Sequence, residues 1–281
     1  MGAGPSEAPI SCAYRPPLPA PPRLQKISCP SDATGRKAPQ GGCAMEPAMH
    51  PNADNLIASR FDTVIYDLDG TLIDSARDMC VAVSRVLADH GLPPITDQDA
   101  RIFMGQGSKV TMGKAFAKNG RTLDDEALSA ATREFVRYYE ADPISNTIAF
   151  DGVAEVVARL ARLGLKQGVC TNKFERPARI ILEHLKLMPP ISDVAGADTF
   201  PVRKPDPKHI LMLVERMGGN PQRTVMIGDS IHDAEAAHRA GIPAVLVSWG
   251  YTLKPASELG ADAVIDRFGA LPDTLGQLAA R

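Results

Sequence analysis

The sequence predicts an α/β protein: a doubly wound parallel sheet with a small α-helical domain inserted after its first strand. Three observations carry that prediction. From residue 152 onward, short runs rich in Val, Ile and Leu alternate with segments of helical period, the pattern of strands buried on both faces between layers of helix. Between residues 79 and 149 the helical patterns follow one another with no strand-like run among them. Finally, three of the apolar runs end in polar residues, Asp67, Thr171-Asn172 and Asp229. In a doubly wound, Rossmann-like sheet ligands bind beyond the carboxyl ends of the strands, so these three sites are expected to meet at one edge.

Residues 1–58 hold 11 of the 24 prolines and show neither helical nor strand period, so they are expected to be a disordered tail. They lack the charged start and continuous apolar core of a secretory signal. Glu7, Asp32 and Glu46 interrupt what basic character they have, and Met45 and Met49 offer alternative starts. The first strand is expected at 60–67. A helix opens at Asp74-Ser75, with Ser75 as N-cap and Asp78 in its first turn; Met79, Val83, Val86 and Leu87 share its apolar face, and Gly91 with Pro93-Pro94 ends it. Helical patterns follow at 96–103, 108–119 and 124–141. Helices are then expected at 152–163, 177–187, 206–217 and 232–240. Strands are expected at 165–170, 191–195, 224–227, 243–248 and 263–265. The resulting division is a tail at 1–58, a core at 59–78 and 150–281, and a helical insert at 79–149.

Composition narrows the function. The net charge of −2 gives no basic field for nucleic acid or an anionic membrane, and no apolar run approaches the ~20 residues of a membrane span. The five cysteines are odd in number, without Cys-x-x-Cys, and three of them (Cys12, Cys29, Cys43) fall in the irregular tail. This is no disulfide framework and points to a reducing, cytoplasmic setting.

The stretch Val64-Ile65-Tyr66-Asp67-Leu68-Asp69-Gly70-Thr71 organises the chain. A period of two puts Asp67 and Asp69 on one side of an extended segment, just past its end. Two carboxylates that close repel, so one tends to hold a proton unless a cation sits between them. Asp-Gly is also a common hairpin turn, but a helix rather than a second strand follows here. The stretch resembles the first motif of the haloacid dehalogenase superfamily, in its phosphatase branch, where a hydrophobic strand leads into Asp-x-Asp-Gly-Thr. Thr171-Asn172, after a hydrophobic strand, is similar to the second motif. Lys204-Pro205-Asp206-Pro207 is similar to the third, and Gly228-Asp229-Ser230-Ile231-His232-Asp233 to the fourth. All four occur in the family's order.

The resemblance implies roles. Asp67 would be a nucleophile forming an aspartyl-phosphate, and Asp69 the acid and base. Thr171 and Asn172 would bind phosphoryl oxygens, and Lys204 would neutralise phosphate and nucleophile. Mg²⁺ would be held by Asp67, the backbone carbonyl of Asp69 and Asp229, with Asp233 supporting the shell; Asp233 equally suits a helix N-terminus. His232 reads as a surface residue. The insert would be a cap over the site, with Asp74 and Gly152 near its hinges. Its Gly105-Gln106-Gly107 resembles the substrate loop of phosphoglycolate phosphatases and is otherwise a helix-helix turn. Lys109, Arg133 and Arg137 are either contacts for a substrate carboxylate or solvated helix charges. The expected function is Mg²⁺-dependent hydrolysis of a small phosphorylated metabolite by a monomer or homodimer, with no nucleic-acid or membrane partner. A phosphosugar mutase of the β-phosphoglucomutase type shares the four motifs and the cap. A phospho-accepting signalling domain lacks both the insert and the Asp-x-Asp-Gly-Thr turn.

Overall fold

The structure, a computed structural model, describes residues 51–105 and 107–281. It begins with a helix where an irregular tail is expected: α1, Pro51–Arg60. The expectation of disorder is corrected over 51–58. The physical reason is a single apolar anchor, since Ile57 is fully buried in the main core, while Asp54 pairs with Arg159 at 2.6 Å. Among residues 53–60 Ile57 alone is buried, so α1 has too weak a period to announce itself. The remainder of the expected tail lies outside the described residues.

β1 (Thr63–Tyr66) is buried throughout. After a tight turn comes β2 (Ile73–Asp74), and then four helices: α2 (Ala76–Asp89), α3 (Asp97–Phe103), α4 (Ser108–Lys118) and α5 (Asp125–Ala141). The α2 face foreseen from sequence, Met79, Val83, Val86 and Leu87, is buried against Phe116 of α4 and Phe135 and Tyr139 of α5 in one cluster. Thr96 and Asp99 close a capping box on α3, and Asp124 accepts from the Ala127 N–H at the start of α5. Each satisfies backbone donors that a helix leaves unpaired. The insert is not wholly helical, because β3 (Ile148–Ala149) returns antiparallel to β2, pairing Ile73 with Ala149 and Asp74 with Ile148. Two residues are too few to show a strand period.

The α/β alternation then runs α6 (Val153–Arg162), β4 (Lys166–Cys170), α7 (Glu175–His184), β5 (Asp193–Ala195), α8 (Pro207–Arg216), β6 (Thr224–Gly228), α9 (Ile231–Arg239), β7 (Ala244–Val247), β8 (Ala263–Ile265) and α10 (Leu271–Ala279). The last helix was not foreseen. β1 and β4 to β8 form one parallel sheet in the order β5-β4-β1-β6-β7-β8. Alternation on β1 divides the core. Val64 and Tyr66 face the side packed by Ile57, Leu160 and Leu271, whereas Ile65 faces Ile210 and Leu213 of α8 and Ala237 of α9.

Register positions the site. Tyr66 lies level with Val169 on one side and Ile227 on the other. β1, β4 and β6 therefore release their chains at nearly the same height, bringing Asp67, Thr171 and Asp229 to one edge. Cys80 and Cys170 are buried as thiols; the other three cysteines lie outside the described residues. No helix among the described residues is long and apolar enough to cross a membrane.

Candidate active site

Asp67 is the first residue past β1, and its N–H donates to Ile227 O at 2.8 Å. Beside it, β6 ends at Gly228, Asp229 follows, and Asp233 lies in the first turn of α9. Asp233 is fully committed. Its Oδ2 accepts from Asp229 N, Ser230 N and Ser230 Oγ, at 3.2, 3.0 and 2.7 Å, and its Oδ1 accepts from Lys204 Nζ at 2.6 Å. The same ammonium lies 2.8 Å from Asp67 Oδ1. Asp67, Asp229 and Asp233 offer carboxylate oxygens that all lie within 4.8 Å of one another. Glycines make the room: a Cβ on Gly70 (φ +83°) would stand 2.4 Å from Asp229 Oδ2, and one on Gly250 2.1 Å from Asp229 Cβ.

Charge in this cluster is out of balance. Burial raises Asp67 to about 6; Lys204 opposes the rise, while Asp233 and then Asp69 add to it. Asp229 is pushed well above the carboxylate range by burial and by Asp67 and Asp233. Burial works against the Lys204 ammonium, yet Asp233 and Asp67 hold its pKa far above the ordinary lysine value. One lysine thus pairs with two of three clustered carboxylates. The donor set is all hard oxygen with charge to neutralise, which fits a small divalent cation such as Mg²⁺.

Thr171, just past β4, accepts from the Lys173 N–H at 3.1 Å. Asn172 Nδ2 donates to Lys204 O at 3.2 Å, tying the second strand-end loop to the one that carries the lysine. A further tie is His209, fully buried on α8. Its Nδ1 accepts from Lys204 N–H at 3.2 Å, which leaves the ring proton on Nε2, 3.1 Å from Gly196 O. Burial and then the nearby Lys204 charge lower its pKa to about 4.

Asp69 stands apart from the carboxylate cluster. Its Oδ1 accepts from Ser75 Oγ and from Lys173 Nζ, the latter at 2.9 Å. Ser75 thus uses its hydroxyl on Asp69 and makes no side-chain cap on α2. Asp67, Asp69, Thr171, Asn172 and Lys204 line a cavity of about 70 Å³ whose far wall is the helical insert. Gly105 and Gly107 line it too, at φ of 92° and 93°; Gln106 lies outside the described residues. Lys109, Arg133 and Arg137 do not line it. Lys109 pairs with Asp125 at 2.6 Å, and Arg137 stacks on Tyr138.

Sequence reasoning missed several participants. His232 belongs to the cavity wall rather than the open surface. Lys173 is buried against Asp69 and lies 4.4 Å from the Tyr139 ring centroid; its signal was adjacency to Thr171-Asn172. Tyr251 donates its N–H to Asp229 at 2.6 Å and its hydroxyl to Asp74 at 2.7 Å, from a loop with no motif. Asp74, at the stem of the insert, also pairs with Arg101 of α3 at 2.7 Å.

A parallel sheet whose strand ends assemble these carboxylates and a buried lysine, with helices covering them, defines a class. The family description haloacid dehalogenase-like hydrolase matches residues 64–247, and the chain belongs to that family, as a phosphoric monoester hydrolase. Among its relatives, phosphoglycolate phosphatase of Caulobacter vibrioides is 41% identical over 210 residues, covering 75% of this chain and 89% of the relative. The protein of that name from Rhodospirillum rubrum is 39% identical over 217 residues, covering 76% and 90%. A solved structure, described as a predicted phosphoglycolate phosphatase from Haemophilus somnus, is similar with a TM-score of 0.72 and 26% identity. It matches 76% of this chain and 98% of its own.

Proposed function

We propose that this chain is a Mg²⁺-dependent phosphatase that hydrolyses a short phosphorylated acid of the phosphoglycolate kind through an aspartyl-phosphate on Asp67. The observation that carries the reading is the convergence of Asp67, Asp229 and Asp233 within 4.8 Å, beside a cavity lined by Asp69, Thr171, Asn172 and Lys204. The names of the relatives support the choice of substrate.

An Asp67 carboxylate oxygen attacks phosphorus, and the bond from phosphorus to the leaving oxygen breaks. Asp69 gives that oxygen its proton, so the alcohol leaves neutral. Asp69, now a carboxylate, takes a proton from a water whose oxygen attacks the same phosphorus. The aspartyl P–O bond breaks, releasing inorganic phosphate and restoring both aspartates. Thr171, Asn172 and backbone N–H groups hold the phosphoryl oxygens. Lys204 offsets the charge of phosphate and nucleophile together, and Asp233 fixes its ammonium by a 2.6 Å hydrogen bond. Asp67, the Asp69 carbonyl and Asp229 are the residues to hold Mg²⁺, with Asp233 behind them; when bound, the ion supplies charge neutralisation and orientation of the phosphate. The insert acts as the cap that keeps bulk water out.

The test is phosphate release from a panel of small phosphorylated acids, sugar phosphates and nucleoside monophosphates with Mg²⁺, for the parent and Asp67→Asn. An amide cannot act as the nucleophile, so the variant should lose about a thousandfold or more in kcat. Residual activity within about tenfold of the parent would exclude Asp67 as the nucleophile. Isomerisation of a sugar phosphate without phosphate release would mark a mutase instead.

A further inference from the structure

Lys173 is a cation of the cavity wall that this reaction leaves without a task. Its side chain is 7% exposed, and it leaves the sheet at the same strand end as Thr171. An ammonium has three N–H donors. Asp69 Oδ1 takes one at 2.9 Å, and the face of Tyr139 borders it at 4.4 Å. Lys173 also forms part of the cavity wall, so donor capacity remains toward a ligand. The other lysine of that wall, Lys204, is held between Asp67 and Asp233.

The rest of the wall limits what that ligand can be. Met79, Met104, Phe135, Val136, Phe174 and Pro177 make one stretch of it apolar, and Ser108, Thr111, Tyr139, Glu140, Ser230 and His232 are its other polar groups. A compact ammonium beside that apolar stretch recognises one small oxyanion. Asp69 must reach the leaving oxygen across one hydrogen bond, and Lys173 lies 2.9 Å beyond Asp69 Oδ1, so its ammonium stands within about 8 Å of that oxygen. In a two-carbon acid the carboxylate sits one carbon from the ester oxygen and falls inside that span.

We propose that Lys173 is the specificity-determining residue of this site: its ammonium binds the carboxylate of a short phosphorylated acid whose phosphate lies at Asp67. The inference rests on the phosphatase reading above for where the phosphate sits. It separates two roles for the anionic ends of the substrate, Lys204 serving the phosphate and Lys173 the acid.

The probes are 3-phosphonopropionate, which carries both ends and has no bond to hydrolyse, and propylphosphonate, which lacks the carboxylate. Binding of each is measured by calorimetry with Mg²⁺ for the parent, Lys173→Met and Lys173→Gln; turnover of phosphoglycolate and ethyl phosphate is measured in parallel. Removing one partner of a desolvated charge pair costs about thirtyfold or more in affinity. The parent should therefore prefer 3-phosphonopropionate by about thirtyfold or more, and both variants should lose that preference while binding propylphosphonate as before. In turnover the loss should appear in KM for phosphoglycolate. Equal weakening of both phosphonates would make Lys173 a support for Asp69 and overturn the proposal. A preference retained in both variants, or absent from the parent, overturns it as well. Lys173-dependent preference without phosphate release would sink the phosphatase reading and leave this inference standing; phosphate release without carboxylate preference would do the reverse.

Discussion

His209 should make the folded state sensitive to acid in a way that can be isolated. The ring is fully buried, and its neutral form is fixed from both sides, by the Lys204 N–H at Nδ1 and Gly196 O at Nε2. Its pKa falls from 6.5 to about 4 on folding, through burial first and Lys204 second. A group depressed in the folded state takes up protons more readily when unfolded. Its contribution is therefore present above the unfolded pKa and is lost as pH falls toward 4. Between about pH 7.5 and pH 4.5 the two pKa values give a loss of roughly 2 to 3 kcal/mol. Asp67, raised to about 6, acts with the opposite sign, since the folded state binds its proton first, so the total pH profile hides the histidine. A difference measurement recovers it. His209→Asn keeps an acceptor near the position of Nδ1 and has no proton to gain. Urea unfolding of parent and variant in EDTA should show the variant about 2 kcal/mol less stable at neutral pH, from the lost packing and the unpaired Gly196 O. That gap should close, or reverse, near pH 4.5. A gap that stays constant within about 0.5 kcal/mol would refute the assignment of a buried neutral histidine behind Lys204.

Two other outcomes are expected. Asp229→Ala should raise the Mg²⁺ concentration for half-maximal phosphate release by about tenfold or more, because one of the converging carboxylates is lost; full activity in excess EDTA would exclude the metal requirement altogether. A chain starting at Ser59 should melt about 8 °C below one starting at Met49. Burial of Ile57 and the Asp54–Arg159 pair together contribute about 3 kcal/mol; equal melting temperatures would mean that α1 contributes nothing.

What was legible in the sequence was whatever repeats a period or stands at a strand end. The alternating strands and helices from 152 onward, the α2 face at Met79, Val83, Val86 and Leu87, and the meeting of Asp67, Thr171 and Asp229 all follow from such patterns, since parallel strands in register bring their ends together. What escaped was single contacts. α1 hangs on Ile57, and β2 and β3 are two residues each. Lys173, Tyr139 and Tyr251 reach the site from three separate segments. No local pattern records that a side chain leans into a cavity formed by other elements.

The two aspartates of Asp-x-Asp show the same limit in the chemistry. Sequence spacing makes each the natural source of repulsion for the other. In the folded protein, burial comes first in raising Asp67 and Asp233 is its main acidic neighbour, while Asp69 contributes least. The two aspartates also meet different lysines. Lys204 lies 2.8 Å from Asp67 and Lys173 2.9 Å from Asp69, and the lysines come from different loops. Pairing them separately lets two carboxylates two residues apart hold different tasks. Asp67 faces the acidic cluster of Asp229 and Asp233, whereas Asp69 faces the cavity and the insert. A substitution at Lys204 should therefore disturb the phosphate end of any substrate, and one at Lys173 the opposite end, although the two aspartates they hold are separated by Leu68 alone.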